Sequence, residues 1–178
     1  EDGACQDVVG RHLSACVATG RRPCGLNTGP YCQARQRLPL AMPQRLSRMV
    51  GERLESRMPK AWCWRGRHVK LFDGTTVSMP DTPENQRAFP QSSEQKPGLG
   101  FPVARIGGLI SLASGAVLAH AVAACKGKGT GEQTLLRGLL PLIVKSDILL
   151  ADALLATWWI VAEIRRRGGD VLMVQQGR

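Results

Sequence analysis

The chain has 178 residues, of which 43% are hydrophobic and 21% are charged, a composition typical of a globular protein. Lys and Arg number 24 against 14 Asp and Glu, so the formal net charge is +10, which favours a polyanionic partner, nucleic acid before a membrane surface. No apolar run is long enough to span a membrane, and the first residues lack the pattern of a signal peptide. These features exclude a disordered chain and an integral membrane protein.

The cysteines and histidines show no metal-binding pattern. The six cysteines lie at positions 5, 16, 24, 32, 63 and 125, and none of them forms a C-x-x-C pair. The histidines at 12, 68 and 120 do not have the spacing of zinc ligands. We therefore expect reduced thiols in a cytoplasmic protein, with a disulfide framework as the less favoured alternative.

Helical spacing dominates the first sixty residues. A first apolar stripe ends at Gly20, a second short helix is predicted at about Tyr31–Leu38, and a third stripe runs over Met42–Met58. The first 68 residues hold 12 Lys and Arg against 5 Asp and Glu, a net charge of +7, whereas the remainder holds 12 against 9, a net of +3. We predict that residues 1–60 form a basic helical arm that contacts DNA and that residues 61–67 are a linker.

From residue 68 the pattern changes to short apolar segments separated by turns. Strands are predicted at 68–72, 103–112, 116–125, 147–151 and 171–174, and helices at 132–144 and 155–167. Residues 80–100 are rich in Pro, Ser, Asn and Gln and are predicted to be a loop. The order strand, strand, strand, helix, strand, helix, strand predicts an α/β domain over 68–178, with a mixed sheet and helices on its faces.

Two aspartates follow predicted strands. Asp73 comes at the end of the first strand and Asp152 at the end of the fourth, so both carboxylates emerge at one edge of the sheet if these strands are parallel neighbours. Carboxylates so close repel each other, and a bound Mg²⁺ or Mn²⁺ relieves the repulsion. Such ions support in-line displacement at phosphorus. The alternative is purely structural: Asp73 starts a turn with Gly74, and Asp152 caps the helix after it.

Several segments, taken in order, resemble the DDE transposases of bacterial insertion sequences, most of all the group founded on insertion sequence four. They are VKLFDGTTVSMPDTPENQ, QKPGLGFPVARI, GKGTGE and DILLADALLATWW, with NTGPYCQARQRLP in the helical arm. The resemblance implies a ribonuclease-H-like catalytic domain in which the first and fourth strands are adjacent. It also implies that Asp73 and Asp152 are catalytic metal ligands. Many relatives have Arg after the second aspartate, whereas this chain has Ala153.

The resemblance also implies a third acid, a glutamate on a helix beyond the fifth strand. This sequence ends at Arg178, so we expect a catalytic domain that is incomplete at its C-terminus and inactive by itself. Glu132 and Glu163 fall on other helices and are not expected to replace that glutamate. Asp81, between two prolines, is interpreted as a turn residue.

Basic side chains outside the acidic pair are the candidate DNA contacts. In the arm we select Arg35, Arg37, Arg45 and Arg48, for which a solvated helix face is the alternative. Lys126 and Lys128 lie in a glycine-rich turn that departs from the phosphate-loop motif, and a flexible connection is the favoured interpretation there. Trp158 and Trp159 are predicted to pack in the core and on the flank of the last helix.

These observations predict a transposase that binds double-stranded DNA, both the terminal repeats of its element and the target. Mg²⁺ or Mn²⁺ would activate water for hydrolysis of a phosphodiester and then the freed 3′-hydroxyl for strand transfer. We expect a homodimer in a synaptic complex, in the bacterial cytoplasm at the nucleoid, with no membrane partner. The alternative is a catalytically inactive remnant that binds DNA or a partner protein.

Overall fold

The computed structural model describes residues 2–174, which divide into two compact units, one that ends at Arg45 and one that begins at Leu46. The predicted domain boundaries at residues 60 and 68 stay a prediction. Within residues 2–174, no helix combines the length and the apolar character needed to cross a membrane.

The first unit contains two helices that pack on each other, α1 (Asp2–Ala18) and α2 (Gly29–Arg37). After α1, Gly20 takes a φ of 66°, and the amide of Arg21 donates to the carbonyl of Cys16 at 2.9 Å, which closes the helix end. Pro30 lies in the first turn of α2, where its missing amide hydrogen costs no helical bond. The two predicted helices are therefore present, within a few residues of their predicted bounds.

The third helix, α3 (Ala41–Ser56), contains the division between the two units. Within the second unit it meets the sheet at Gly51, where a Cβ would lie 2.6 Å from the carbonyl oxygen of Val117. One turn later, Glu55 Oε1 lies 2.8 Å from Nδ1 of His68. Because Gly51 has no side chain, the helix backbone can approach the strand backbone closely. Helix α3 therefore packs on the sheet through the side that carries Gly51 and Glu55.

The apolar stripe of α3 does not face the sheet. Leu46, Met49 and Val50 are about half exposed. Residues 51 and 55 lie on the opposite side of the helix from that stripe, and they are the ones that face the sheet.

The second unit is an α/β structure with a mixed five-stranded sheet. The strands are β1 (Val69–Ser78), β2 (Val103–Ser111), β3 (Val117–Ala124), β4 (Ile148–Ala151) and β5 (Asp170–Leu172). Their order across the sheet is β3-β2-β1-β4-β5, with β1 antiparallel to β2, β2 antiparallel to β3, and β1, β4 and β5 mutually parallel. The predicted hairpin and the predicted order of strands and long helices are confirmed.

Three α-helices and two 3₁₀ turns connect the strands. They are α4 (Pro83–Ala88), α5 (Glu132–Leu139) and α6 (Trp158–Arg166), with 3₁₀ turns at Leu140–Leu142 and Ala153–Leu155, and a further 3₁₀ turn, Lys60–Trp62, precedes β1. Helix α4 lies in the segment predicted to be a loop. It forms because the Thr82 hydroxyl accepts from the amide of Asn85 at 3.2 Å, while Pro83 occupies the first helical position.

Strand β1 is longer than the sequence indicated. We expected it to end at Asp73 and Gly74, but it continues to Ser78. The reason is its antiparallel partner β2, which pairs with β1 from Lys70 to Ser78, well beyond the last parallel pair with β4. Asp73 is therefore an internal residue of a strand, opposite Gly108, and the turn interpretation for it is wrong.

One face of the sheet carries the core. Phe72, Leu109 and Leu149 on the strands form a single cluster with buried leucines and isoleucines of the helices, among them Leu135, Leu136, Leu139, Ile160 and Ile164. Helix α5 lies over β2 and β3, and α6 lies against β5. The helix predicted over 132–144 ends early, at Leu139, because Pro141 cannot continue it, and Leu140–Leu142 follows as a 3₁₀ turn.

A buried ion pair joins β1 to the residue that precedes β4. Lys70 Nζ lies 2.6 Å from Asp147 Oδ2, and the side chains of Lys70 and Asp147 are 10% and 4% exposed. Lys70 also donates to the carbonyl of Leu142 at 2.8 Å, and Asp147 accepts from the amide of Val144 at 2.8 Å. The pair thus connects the start of β1 with the whole turn that leads into β4.

We expect Asp147→Asn to lower the free energy of unfolding by about 3–5 kcal/mol, because it leaves the Lys70 ammonium buried without a counter-charge. Asparagine keeps an acceptor for the Val144 amide, so the loss reports mainly on charge. The control is Glu52→Gln, which breaks the exposed Arg48–Glu52 pair and should cost about 1 kcal/mol or less. Urea unfolding of both variants checks this, and equal small losses would contradict it.

Adjacent glycines of β2 provide a second test. A Cβ on Gly107 would lie 2.8 Å from the Phe72 ring and 3.2 Å from Leu135 Cβ, whereas one on Gly108 meets nothing nearer than 3.9 Å. Gly107→Ala should therefore destabilise the fold by about 1–3 kcal/mol through overpacking, and Gly108→Ala should be nearly neutral. Thermal unfolding of the two variants measures the difference, and a neutral Gly107→Ala would show that Phe72 does not hold this position.

Candidate active site

Asp73 and Asp152 lie side by side at one edge of the parallel strand pair. The last parallel register pair of β1 and β4 is Phe72 with Ala151, and the next residues along the two strands are Asp73 and Asp152. The backbone of Asp152 is still extended, with φ −63° and ψ 155°. Neighbouring strands are about 4.8 Å apart, and register partners in a parallel pair point to the same face. The two carboxylates therefore share one face at this edge.

Neither aspartate has a structural role that occupies both oxygens of its carboxylate. Asp152 precedes the 3₁₀ turn Ala153–Leu155, but its side chain makes no capping hydrogen bond there, so the helix-cap interpretation is not supported. Asp73 Oδ1 accepts only the local amide of Gly74 at 2.8 Å. Both residues are exposed. Their remaining oxygen lone pairs are available to a ligand.

The donor set at this edge fits one hard divalent cation. Two carboxylates with several waters are a usual environment for Mg²⁺, which keeps most of its hydration shell when it binds to protein. In the described part of the chain, no cluster of three or more His, Cys, Asp or Glu residues is arranged to hold a metal ion. Asp73 and Asp152 would thus hold the ion without a third protein carboxylate from residues 2–174.

The structure brings Glu132 closer to this edge than the sequence suggested. A Cβ on Gly74 would lie 2.7 Å from Glu132 Oε1, so the carboxyl group rests on the bare backbone of β1 beside Asp73. Side chains alternate along a strand, so Glu132 is on the core face, whereas Asp73 points to the other face. A glycine inside a strand is a recognised sign of close approach, and Gly74 was the available signal.

The other two acids considered from the sequence lie elsewhere. Glu163, on α6, accepts hydrogen bonds from Arg166 and Arg167, which lower the pKa of its carboxyl group to about 2. Asp81 accepts from the amide nitrogen of Gln86 at 2.7 Å in the turn before α4. The five residue steps of β1 from Asp73 to Ser78 span about 17 Å, which carries Asp81 away from the carboxylate pair.

A cleft of about 480 Å³ adjoins Asp152 on the core side of the edge. It is lined by Arg105, by the first residues of α5 and by Leu154 and Leu155. Arg105 donates to the carbonyl of Thr130 at 3.2 Å, and Gln133 donates to the carbonyl of Leu154 at 3.1 Å. The first bond joins β2 to the turn before α5, and the second joins α5 to the segment after Asp152.

The predicted DNA contacts are distributed over separate elements. Arg35 and Arg37 lie in the last turn of α2, and Arg45 lies in α3. All three are exposed, and none has an acidic partner among the described side chains. Arg48, by contrast, is paired with Glu52 at 2.9 Å, which offsets its charge.

Lys126 and Lys128 lie in the turn after β3. Gly127 and Gly129 take φ values of 116° and 75°, which a glycine accommodates without strain. Across the sheet, Asp73 of β1 pairs with Gly108 of β2, and Gly108 pairs with His120 of β3. β3 continues for four residues beyond His120, about 13 Å, before this turn begins. The two lysines are therefore not next to the carboxylate pair.

The tryptophans of α6 differ from each other. Trp158 is 83% exposed, so the prediction that it packs in the core is wrong. Buried Ile160 and Ile164 set the rotation of the helix, and Trp158 lies on nearly the opposite side. Trp159 is 44% exposed and carries the guanidinium of Arg137 at 4.5 Å from its ring centroid, in accord with a position on the helix flank.

Comparisons of the chain with protein-family models, with curated proteins and with solved structures found no match.

Proposed function

We propose that this chain carries the catalytic carboxylates of a DDE transposase of the insertion-sequence-four group, as its sequence segments suggest. The observation that supports this most directly is the register of β1 and β4, which puts Asp73 beside Asp152. The sheet order β3-β2-β1-β4-β5, with helices after β3 and β4, is compatible with a ribonuclease-H-like domain. The proposed reaction is hydrolysis of a phosphodiester at the ends of an element, followed by strand transfer.

In this proposal Asp73 and Asp152 hold Mg²⁺ or Mn²⁺, which when bound supplies Lewis acidity at phosphorus. Their lack of other partners leaves several oxygen lone pairs free for the ion. The rigid β1–β4 ladder fixes their separation, so little reorganisation is needed when the site fills.

The second part of the proposal is that the basic helical residues bind double-stranded DNA. Arg35, Arg37 and Arg45 are exposed and have no carboxylate partner in residues 2–174. Guanidinium groups of this kind contact phosphates and position a duplex without reading its sequence. We also propose that target DNA is a second substrate and that the chain acts as a homodimer in the synaptic complex. The proposed location is the bacterial cytoplasm, at the nucleoid.

A second candidate function is a DNA- or partner-binding remnant without catalysis. The observation that favours it is the missing third acid: residues 2–174 contain no three-carboxylate cluster at the edge. Both candidates contain the aspartate pair and they differ in catalysis, so cleavage of duplex DNA in Mg²⁺ or Mn²⁺ separates them.

We expect the chain to bind Mn²⁺ weakly at the edge, and Asp73→Asn or Asp152→Asn to weaken binding at least about tenfold, a loss of ~1.4 kcal/mol. Isothermal titration calorimetry measures this. Asp81→Asn is the matched control, since it makes the same chemical change on an exposed turn outside the pair. If all three variants titrate like the wild type, the metal assignment is wrong.

For DNA, we expect the triple variant Arg35→Gln, Arg37→Gln, Arg45→Gln to bind duplex more weakly. The slope of log affinity against log salt should become shallower by about 2.7, roughly 0.9 for each phosphate that is no longer neutralised. The control removes the same charge with Arg165→Gln, Arg166→Gln and Arg167→Gln, residues that are already paired with Glu163 and Asp170.

Fluorescence anisotropy at several salt concentrations measures both triple variants. Equal effects would mean that only net charge matters and that the residues of α2 and α3 form no specific interface.

A further inference from the structure

We propose that the free edge of β3, together with the flank of α5 beside it, is a surface on which a second copy of the chain docks, so that the two sheets become one. The inference deepens one part of the proposed function, the homodimer, and rests on it, but it requires neither DNA nor metal. Three observations carry it: open backbone groups along β3, the absence of charge on that strand, and two small residues on α5.

Strand β3 lies at one end of the strand order, so one side of its backbone is unpaired. Just beyond β3, the amide of Cys125 donates to the carbonyl of Val103, which begins β2, at 3.3 Å. Because hydrogen-bonded pairs alternate along an antiparallel ladder, the backbone groups of His120, Val122 and Ala124 point away from β2. Outside strand pairing, no backbone hydrogen bond within residues 2–174 uses these groups. The edge of β3 can therefore accept another strand.

The sequence of β3 does not protect this edge. Natural sheets usually guard an edge strand with charge, proline or a short length. At the other end of the strand order, β5 has three residues and begins with Asp170, which pairs with Arg67 and Arg165. β3 has eight residues, VLAHAVAA, without Lys, Arg, Asp, Glu or Pro. In a chain of net charge +10, two copies can approach along this strand without like-charge contact.

Helix α5 presents small residues towards the same edge. The helix lies over β2 and β3, and its Gln133 and Arg137 reach towards the segment after β4 and towards α6. At 100° per residue, Thr134 and Gly138 lie on the opposite flank of α5, on the side of the free edge. Both are exposed, and a Cβ on Gly138 would meet no atom within 4 Å. Small residues on a helix flank permit the close approach of a second helix.

One register serves both the strand and the helix. A two-fold axis at Ala121 pairs His120 of one copy with Val122 of the other, so their outward backbone groups bond to each other. Ala121 pairs with Gly107 of β2, and a Cβ on Gly107 would lie 3.2 Å from that of Leu135 on α5. The axis therefore passes near the middle of α5. The two α5 helices would lie about two strand spacings apart, ~10 Å, a usual distance for packed helices.

This agreement favours a second copy over an unrelated strand. A single added strand would pair with β3 but would leave Thr134 and Gly138 uncovered. The two-fold arrangement covers the strand edge and the helix flank together, because both lie at the same level of the sheet.

Sedimentation velocity of the whole chain over a concentration series tests the strand pairing. Val122→Pro removes one outward amide from each copy, so the dimer loses two hydrogen bonds. Its dissociation constant should rise about 5- to 100-fold. Val122→Thr keeps the amide and a similar side-chain shape, and it should change the constant little.

Gly138→Gln tests the helix contact without disturbing the single copy. The new side chain enters open space and replaces a residue that is unfavourable in a helix, so the fold should be as stable as the wild type or slightly more so. The dimer should weaken at least about tenfold, because the side chain occupies the space of the second helix. Gly10→Gln on α1, where a Cβ also meets nothing, is the matched control and should leave the dimer unchanged. Circular dichroism verifies that both variants fold.

Ala121→Cys tests the register. In a non-hydrogen-bonded antiparallel pair the two Cα atoms are about 4.5 Å apart, within reach of a disulfide. Mild oxidation should therefore give a covalent dimer well above the wild-type background on a non-reducing gel. Ala119→Cys is the matched control: its two copies would be four residues apart along the strands, about 13 Å, too far for a disulfide.

The outcomes separate this inference from the rest of the proposed function. If the wild type binds DNA but is a monomer at every concentration, with and without DNA, the surface is wrong and the DNA function stands. If the wild type dimerises and all the variants match it, another surface holds the dimer and the inference is overturned. Equal cross-linking of Ala119→Cys and Ala121→Cys would also overturn it. If the expected pattern appears but the chain binds no DNA, the docking surface stands and the DNA function is wrong.

Discussion

The buried ion pair between Lys70 and Asp147 decides where the rest of the second unit lies. Lys70 belongs to β1, three residues before Asp73, and Asp147 comes directly before β4, five residues before Asp152. A register that separated the two partners would leave each charge buried without a counter-charge, which is strongly destabilising. The pair therefore holds β1 and β4 in the register that makes the two aspartates neighbours. The same contacts between Lys70 and Asp147 therefore stabilise the fold and set the relative positions of Asp73 and Asp152.

The edge of the sheet beyond this pair collects groups from distant parts of the chain. Asp73 and Asp152 come from the two parallel strands, and Glu132 reaches the same strand from α5 over the bare backbone of Gly74. The edge thus carries two carboxylates on one face of the sheet and a third on the other, above an apolar core. Such an arrangement suits a charged, elongated ligand, which agrees with the phosphodiester substrate that we propose.

Local patterns were enough to predict most elements but not their lengths or partners. The hairpin of β2 and β3 follows from two β-branched, apolar segments joined by a short turn, and α5 and α6 follow from their helical periodicity. The extension of β1 to Ser78 did not, because the residues after Gly74 read as a turn unless β2 is beside them. The exposed stripe of α3 is a similar case: packing through Gly51 depends on the backbone of β3, which lies more than sixty residues away.

The sequence by itself determined the α/β class, the order of the strands and long helices, and the two aspartates worth testing, because each depends on residue type and short-range spacing. Only the tertiary structure decided that Asp73 lies inside a strand, that Glu132 rests on Gly74, and that Trp158 faces outward. These outcomes depend on contacts between residues far apart in the chain. Strand pairing supplies hydrogen bonds that no local pattern reveals, and the buried isoleucines of α6 choose its rotation against a core that the helix alone does not contain.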